Sequence, residues 1–408
     1  MGCWMASKDL DFVLMGTAYS KYFIDKVAHC LEGRGLRFSI GNITANSFAA
    51  GHRFVQLDES VRGNELWVIH SYLPGNPVVS DMDIFQIADA AKRSSCERLN
   101  VATTFTEFRQ DKKSDGRVAI YAKLFADILK VAGGDKFNRF ATAHPHSEQV
   151  QGFFDVAFDS LPSIDVFEWY CKNVLFPHLG VTDPASQVLV YSGDGGSVMV
   201  NRRLASRLGV PSLSLDKLRT IKSEGNVSMG DTPTNGNIVQ GKYVLTLDDI
   251  MCSGGTACGL GGDIMRLEAR EFYTLATHGL FSEKSGVKAE DRIRSVKGMK
   301  VVTTDTVPRS PGYLRENSEW LVGQISMAPV YAELIYRTTM HESVNTMFRD
   351  PDDTRFNPSL RGQLIDALER CYAKPEFFAN QLPLSSRTIM VCPPSVDPKS
   401  QYALSRDV

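Results

Sequence analysis

The chain lacks a surplus of charge of either sign. Its 45 Lys and Arg against 47 Asp and Glu leave a formal net charge of −2. No overall basic field therefore recruits nucleic acid, although a local cationic pocket for phosphates stays open. The sequence also lacks paired cysteines. Eight are present, at 3, 30, 96, 171, 252, 258, 371 and 392, with no Cys-x-x-Cys and no His at zinc spacing. That excludes a zinc finger and points to reduced thiols in a cytoplasmic protein. No apolar run reaches the ~18–20 residues that span a bilayer, and no signal-peptide core opens the chain, so no membrane partner is expected. Ser7 falls one position too late for Met1-Gly2 to read as an acylation signal.

What is present is an ordinary globular composition, 43% hydrophobic and 23% charged over 408 residues. That length favours two domains over one core. Short apolar runs at Phe12–Met15, Glu65–Ile69 and Leu99–Ala102 read as strands. Between them, Phe23, Ile24, Val27, Ala28 and Leu31 recur at helical spacing, and residues 82–95 do the same. The second half repeats the alternation. Strands are expected at Val188–Tyr191, Tyr243–Leu247, Phe272–Thr277 and Lys300–Thr303, with a helix over 198–208. Strands separated by helices predict an α/β protein with a central parallel sheet in each half. The expected division is 1–165, 166–348 and a turn-rich appendage at 349–408, partly ordered, whose one helix carries Leu360, Leu364, Leu368 and Cys371 on a face.

Two strand-to-glycine-to-helix junctions carry chemistry. A helix start leaves backbone N–H groups unpaired, and glycine lets the main chain approach an anion closely. In the first junction, Ser253-Gly254-Gly255-Thr256 would cradle a phosphate, with Cys252 beside it. Asp248 and Asp249 precede it at the strand end, where acceptor-only carboxylates suit the hydroxyls of a ribose. The second, Ser192-Gly193-Asp194-Gly195-Gly196-Ser197, adds a carboxylate suited to Mg2+ beside phosphates. Taken alone, a Gly-Asp-Gly-Gly run makes an ordinary turn as readily as a binding loop.

Residues Leu247–Thr256 resemble the ribose-phosphate loop of type I phosphoribosyltransferase folds. The landmarks around them resemble the ribose-phosphate pyrophosphokinase (PRPP synthetase) family in order: Glu59–Gly63, Asp89–Ser95, Arg109–Lys113, Gln149–Asp155, Thr277–Ser282 and Ile325–Pro329. The likeness runs over roughly residues 12–348. It implies two tandem phosphoribosyltransferase-type, Rossmann-like domains. It further implies transfer of diphosphate from Mg-ATP to the C1 hydroxyl of ribose 5-phosphate, giving PRPP and AMP.

Position by position, the resemblance puts His146 at the Mg-ATP site and Asp194, Gly195 and Gly196 in the diphosphate loop. His146 and Asp194 become the metal residues. Lys217 and Arg219 are brought onto the transferring phosphates, and Phe48, His52, Arg109, Gln110 and Asp111 line the nucleotide site. A homo-oligomer, dimer or hexamer, is also implied, with an ATP site that borrows residues across an interface. The chain departs from the family pattern at Ala50, His52, His144, Val200 and Cys252. These changes leave room for another pentose phosphate or a larger ribose 5-phosphoester as acceptor, or for a non-catalytic regulatory subunit. A phosphoribosyltransferase that consumes PRPP fits less well, because the long N-terminal half with Gly152-Phe153-Phe154 has no place in it.

Overall fold

The computed structural model describes residues 10–72, 77–106, 108, 116–193, 195–214, 238–347, 359–372 and 378–380. They form two compact units. One comprises residues up to Pro162 together with those from Met327 through Tyr372; the other comprises Ser163–Ser326 with Phe378–Asn380.

The first unit is built on a seven-stranded sheet in the order β3-β2-β1-β4-β5-β6-β7. Its strands are β1 (Phe12–Thr17), β2 (Phe38–Ser47), β3 (Arg53–Leu57), β4 (Glu65–His70), β5 (Arg98–Thr103), β6 (Phe137–Ala143) and β7 (Ala157–Leu161). All pairings are parallel except β2–β3. Every residue of β1 is buried, as expected of a parallel strand covered on both faces, and it reads as one apolar run. β2 lies next to the edge with a mixed, half-exposed pattern, which explains why no apolar run announces it.

The Ala328–Thr339 helix belongs to this first unit, where it packs on the Lys21–Leu31 helix. Tyr331 sets its ring edge-on to Phe23 at 5.1 Å and donates from its hydroxyl to the carbonyl of Thr103 at 2.6 Å. Arg34 bridges to the buried Glu333 at 2.8 Å and stacks on Tyr336. The Ser359–Tyr372 helix joins the same unit and brings the thiol of Cys371 to within 2.8 Å of that of Cys30. The units thus divide differently from the expected 166–348 and 349–408. A buried helix goes with the face that covers it, whatever its place in the chain.

The second unit has the order β14-β13-β12-β11-β10-β8-β9. Its strands are β8 (Val188–Ser192), β9 (Ser212–Ser214), β10 (Tyr243–Met251), β11 (Glu271–Gly279), β12 (Met299–Thr304), β13 (Leu321–Ile325) and β14 (Phe378–Asn380). All pair in parallel apart from the antiparallel β13–β14. The chain direction across the sheet reverses between β8 and β10. In open α/β sheets, ligands settle at such a switch point, outside the carboxyl ends of the strands. Both glycine-rich junctions leave the sheet there.

Candidate functional site

β10 runs longer than its apolar segment implies. It continues through Asp248 and Asp249 to Met251, so both acids sit inside the strand rather than beyond it. The extension follows its neighbours unequally. β8 pairs with Tyr243–Leu245 only, whereas β11 pairs along β10 as far as Met251. Past Leu245 the edge of β10 that faces the switch point needs other partners.

Asn201 supplies them. This wholly buried side chain lies on the Val198–Leu208 helix, accepts from the Leu247 N–H at 2.7 Å and donates to the Leu247 carbonyl at 2.9 Å. Its amide substitutes for one residue of a missing strand and holds the crevice open. A lone Asn within a helix gives no sequence signal for this role. Asp248 and Asp249 each accept a neighbouring backbone amide, from Asp249 at 2.9 Å and Ile250 at 2.8 Å, and both stay half-exposed.

After Met251 the chain turns through Cys252, Ser253 and Gly254 into the Gly255–Arg266 helix. Gly254 caps that helix at φ +72°, a left-handed conformation that glycine adopts without steric cost. Gly255 and Thr256 are exposed, while Cys252 and Ser253 are half-buried. The unpaired N–H groups of the helix start therefore face solvent, in the arrangement that binds phosphate. The helix sits hard on the sheet. A Cβ at Gly261 would lie 3.0 Å from Phe272 and 3.3 Å from Met299. Cys258, on the inner face, has its thiol pushed up to about 11 by burial, so it is a packing group rather than a nucleophile.

In the second junction, Gly195 and Gly196 are exposed in the turn before the Val198–Leu208 helix, on the other side of the switch point. Asp194 lies outside the described residues, as do Lys217, Arg219, Arg109, Gln110 and Asp111. Of the first-unit candidates, His146 is exposed on the loop after β6, and His144 in the same loop adopts φ +31°. Phe48 and His52 lie in the turn joining β2 and β3. That turn is closed by the Phe48 N–H on the His52 carbonyl at 2.8 Å, and the Phe48 ring is 60% exposed. An aromatic face left in solvent on a tight turn is available to stack on a base or on a partner. Among the described residues, no group of three or more His, Cys, Asp and Glu is arranged to hold a metal ion.

Residues 12–133 match the model of the N-terminal domain of ribose phosphate pyrophosphokinase. The ribose-phosphate pyrophosphokinase of Corynebacterium efficiens is 33% identical over 319 residues, 77% of this chain and 90% of that protein. That of Helicobacter hepaticus is 32% identical over 340 residues, 82% of this chain and 98% of the relative. The crystal structure of phosphoribosylpyrophosphate synthetase from Mycobacterium smegmatis superposes with a TM-score of 0.65 at 27% identity, covering 81% of this chain and 99% of that one. A paired-domain α/β architecture, a phosphate-type loop at its switch point and likeness along nearly the full length of these relatives agree: the chain belongs to the ribose-phosphate pyrophosphokinase family, whose members are transferases.

Proposed function

We propose that the protein transfers the β,γ-diphosphoryl group of ATP to the C1 hydroxyl of ribose 5-phosphate, giving PRPP and AMP, in the cytoplasm. The observation that carries this reading is the β10 junction. Two carboxylates followed by an open amide cradle at the switch point form a receptor for a sugar bearing both vicinal hydroxyls and a phosphate. Asp248 and Asp249 accept from the ribose hydroxyls, and the amides from Ser253 to Thr256 take the 5-phosphate.

The C1 oxygen attacks Pβ, the bond from Pβ to the oxygen bridging the α-phosphate breaks, and AMP leaves with that oxygen. The hydroxyl proton passes to solvent or a nearby base. Such a transfer needs positioning and charge neutralisation rather than a covalent nucleophile. Lys217 and Arg219 supply positive charge at the transferring phosphates, and Asp194, Gly195 and Gly196 hold the diphosphate. Phe48, His52, Arg109, Gln110 and Asp111 receive the nucleotide. Mg2+, when bound, would neutralise charge on the phosphates, and His146 and Asp194 are the residues that would hold it. The active species is a homo-oligomer.

The test is incubation of purified protein with ATP, ribose 5-phosphate and Mg2+ over a range of phosphate concentrations, with PRPP and AMP followed by phosphorus NMR. Equal formation of both is expected, and formation of neither would overturn the reading. Cys252 stands where the family pattern has an acid, and it motivates a second acceptor class. AMP release driven by a larger ribose 5-phosphoester but not by ribose 5-phosphate would establish that alternative. No AMP formation with any acceptor would leave the regulatory-subunit reading.

A further inference from the structure

The loop that follows β10 is gripped through its carbonyls. The N–H groups of Leu280 and Phe281 donate to the Met251 carbonyl at 3.0 and 3.2 Å, and that of Ser282 donates to the Cys252 carbonyl at 2.9 Å. The next carbonyl, of Ser253, has no strand neighbour opposite it. It accepts instead from the guanidinium of Arg292, which reaches in from the Ala289–Arg294 helix and also approaches the Lys284 carbonyl at 3.5 Å. Three consecutive carbonyls, Met251, Cys252 and Ser253, are thus bound by one segment, residues 280–292.

No peptide bond in the described chain is cis. In a trans peptide the carbonyl and the N–H of the following residue point in opposite directions. Fixing these three carbonyls therefore turns the N–H groups of Cys252, Ser253 and Gly254 away from the 280–292 segment. Successive amides aimed together form an anion-binding concavity.

Arg292 holds the member of the set that flanks Gly254, which adopts a φ of +72°. A second arginine backs the grip. Arg309 donates to the Gly279 carbonyl at 2.7 Å and to that of Leu280, with its guanidinium on the faces of Phe281 and Tyr313 at 5.1 and 4.9 Å.

We infer that Arg292 is a positioning residue for the sugar-phosphate end of the substrate, acting through the Ser253 carbonyl to aim the loop amides and not by touching the phosphate itself. The inference rests on the proposed reading of this loop as the ribose-phosphate site. Arg292→Ala should raise KM for ribose 5-phosphate about tenfold or more, from loss of a hydrogen bond to a charged donor, while KM for ATP stays within about twofold. Arg292→Lys keeps the charge but loses the planar two-pronged donor, so its KM should fall between those of wild type and Arg292→Ala.

An unchanged KM for ribose 5-phosphate in Arg292→Ala would overturn the inference. So would a wild-type KM in Arg292→Lys, because charge alone would then suffice. Calorimetric titration of ribose 5-phosphate separates this from the activity itself. If the wild type binds the sugar phosphate but makes no PRPP, the proposed function fails, while about tenfold weaker binding by Arg292→Ala still supports the clamp and equal binding removes it. Should Arg292→Ala not melt cooperatively, Arg309→Met replaces it, with a smaller rise in the same KM expected and no rise counting against the clamp.

Discussion

Each of the two sheets reverses direction once, between β1 and β4 in the first unit and between β8 and β10 in the second. The turns leaving those points use their polar groups in opposite ways. After β1, Thr17 and Ser20 bond to one another at 3.1 Å, and Ser20 accepts the Ser71 N–H at 2.9 Å from the end of β4. Tyr19 donates to Asp83, which also receives both arms of Arg53 at 2.5 and 2.7 Å. Lys21 bridges to Asp25. The turn borders a cleft of about 310 Å³, yet these side chains are bonded within the unit. After β10 the contacts go to the carbonyls, and the amide side is left to solvent. One topology therefore yields a self-closed joint in the first unit and, in the second, the open loop proposed above as the sugar-phosphate receptor. The switch point supplies the place, and the choice between carbonyl and amide contacts decides whether the turn is closed on itself or left open.

The sharpest way to break the first half of that contrast is Asp83→Ala. Asp83 is wholly buried against Arg53 and Tyr19, and removing one partner of such a group strands the other charge, at a cost of about 3–5 kcal/mol. Urea unfolding should show that loss. KM for ribose 5-phosphate should not move, and a large rise would mean the joint contributes to the sugar site after all.

His70 ends β4 beside this joint, and burial holds its imidazole down to about 4. The depressed value means the unfolded chain binds the proton more readily. Its contribution to stability is complete above the ordinary value near 6.5 and drains away as the pH falls from there towards 4. The accumulated loss is about 3 kcal/mol for a shift of this size. Melting curves of His70→Gln across that window should be flatter than those of the wild type; parallel curves would place the acid sensitivity elsewhere.

On the receptor side, Asp248→Asn with Asp249→Asn should lower kcat/KM for ribose 5-phosphate about a hundredfold, since two charge-assisted acceptors become neutral. Retained activity would move the sugar hydroxyls off these acids. Asn201→Ala leaves the buried Leu247 N–H and carbonyl unpaired and should cost about 2 kcal/mol in unfolding experiments. An unchanged stability would show that the β10 edge finds another partner.

The sequence makes the receptor half of this comparison far more legible than the joint half. Val188–Tyr191, Tyr243–Leu247 and Phe272–Thr277 are largely apolar runs because parallel strands are buried on both faces, and glycines mark where they turn. β2 and β3, half-exposed near the sheet edge, carry no such run. Asp248 and Asp249 stand out by composition. Asn201, Arg292 and Arg309 do not, because each acts on a backbone group dozens of residues away. Asp83 and Arg53 likewise read as surface charges until the fold brings them together. The Ala328–Thr339 helix is apolar along the chain, but nothing in its spacing says which unit will cover it.

The mildest test of the contrast lies at Lys21, a cation that follows the first unit's turn at the start of the Lys21–Leu31 helix. By position alone it could serve an anion as well as the β10 loop does. Its ammonium instead meets Asp25 one helical turn on, at 2.9 Å, in a pair with side chains 64% and 47% exposed. Exposed pairs of that spacing contribute about 0.3–0.5 kcal/mol. Lys21→Ala should therefore shift the urea midpoint barely and leave both substrate KM values unchanged. A severalfold rise in KM for ribose 5-phosphate in this variant, with stability intact, would make the first turn a second phosphate contact. The difference between the two switch points would then be one of degree, since a helix start with a neighbouring cation would bind the anion without any grip on its carbonyls.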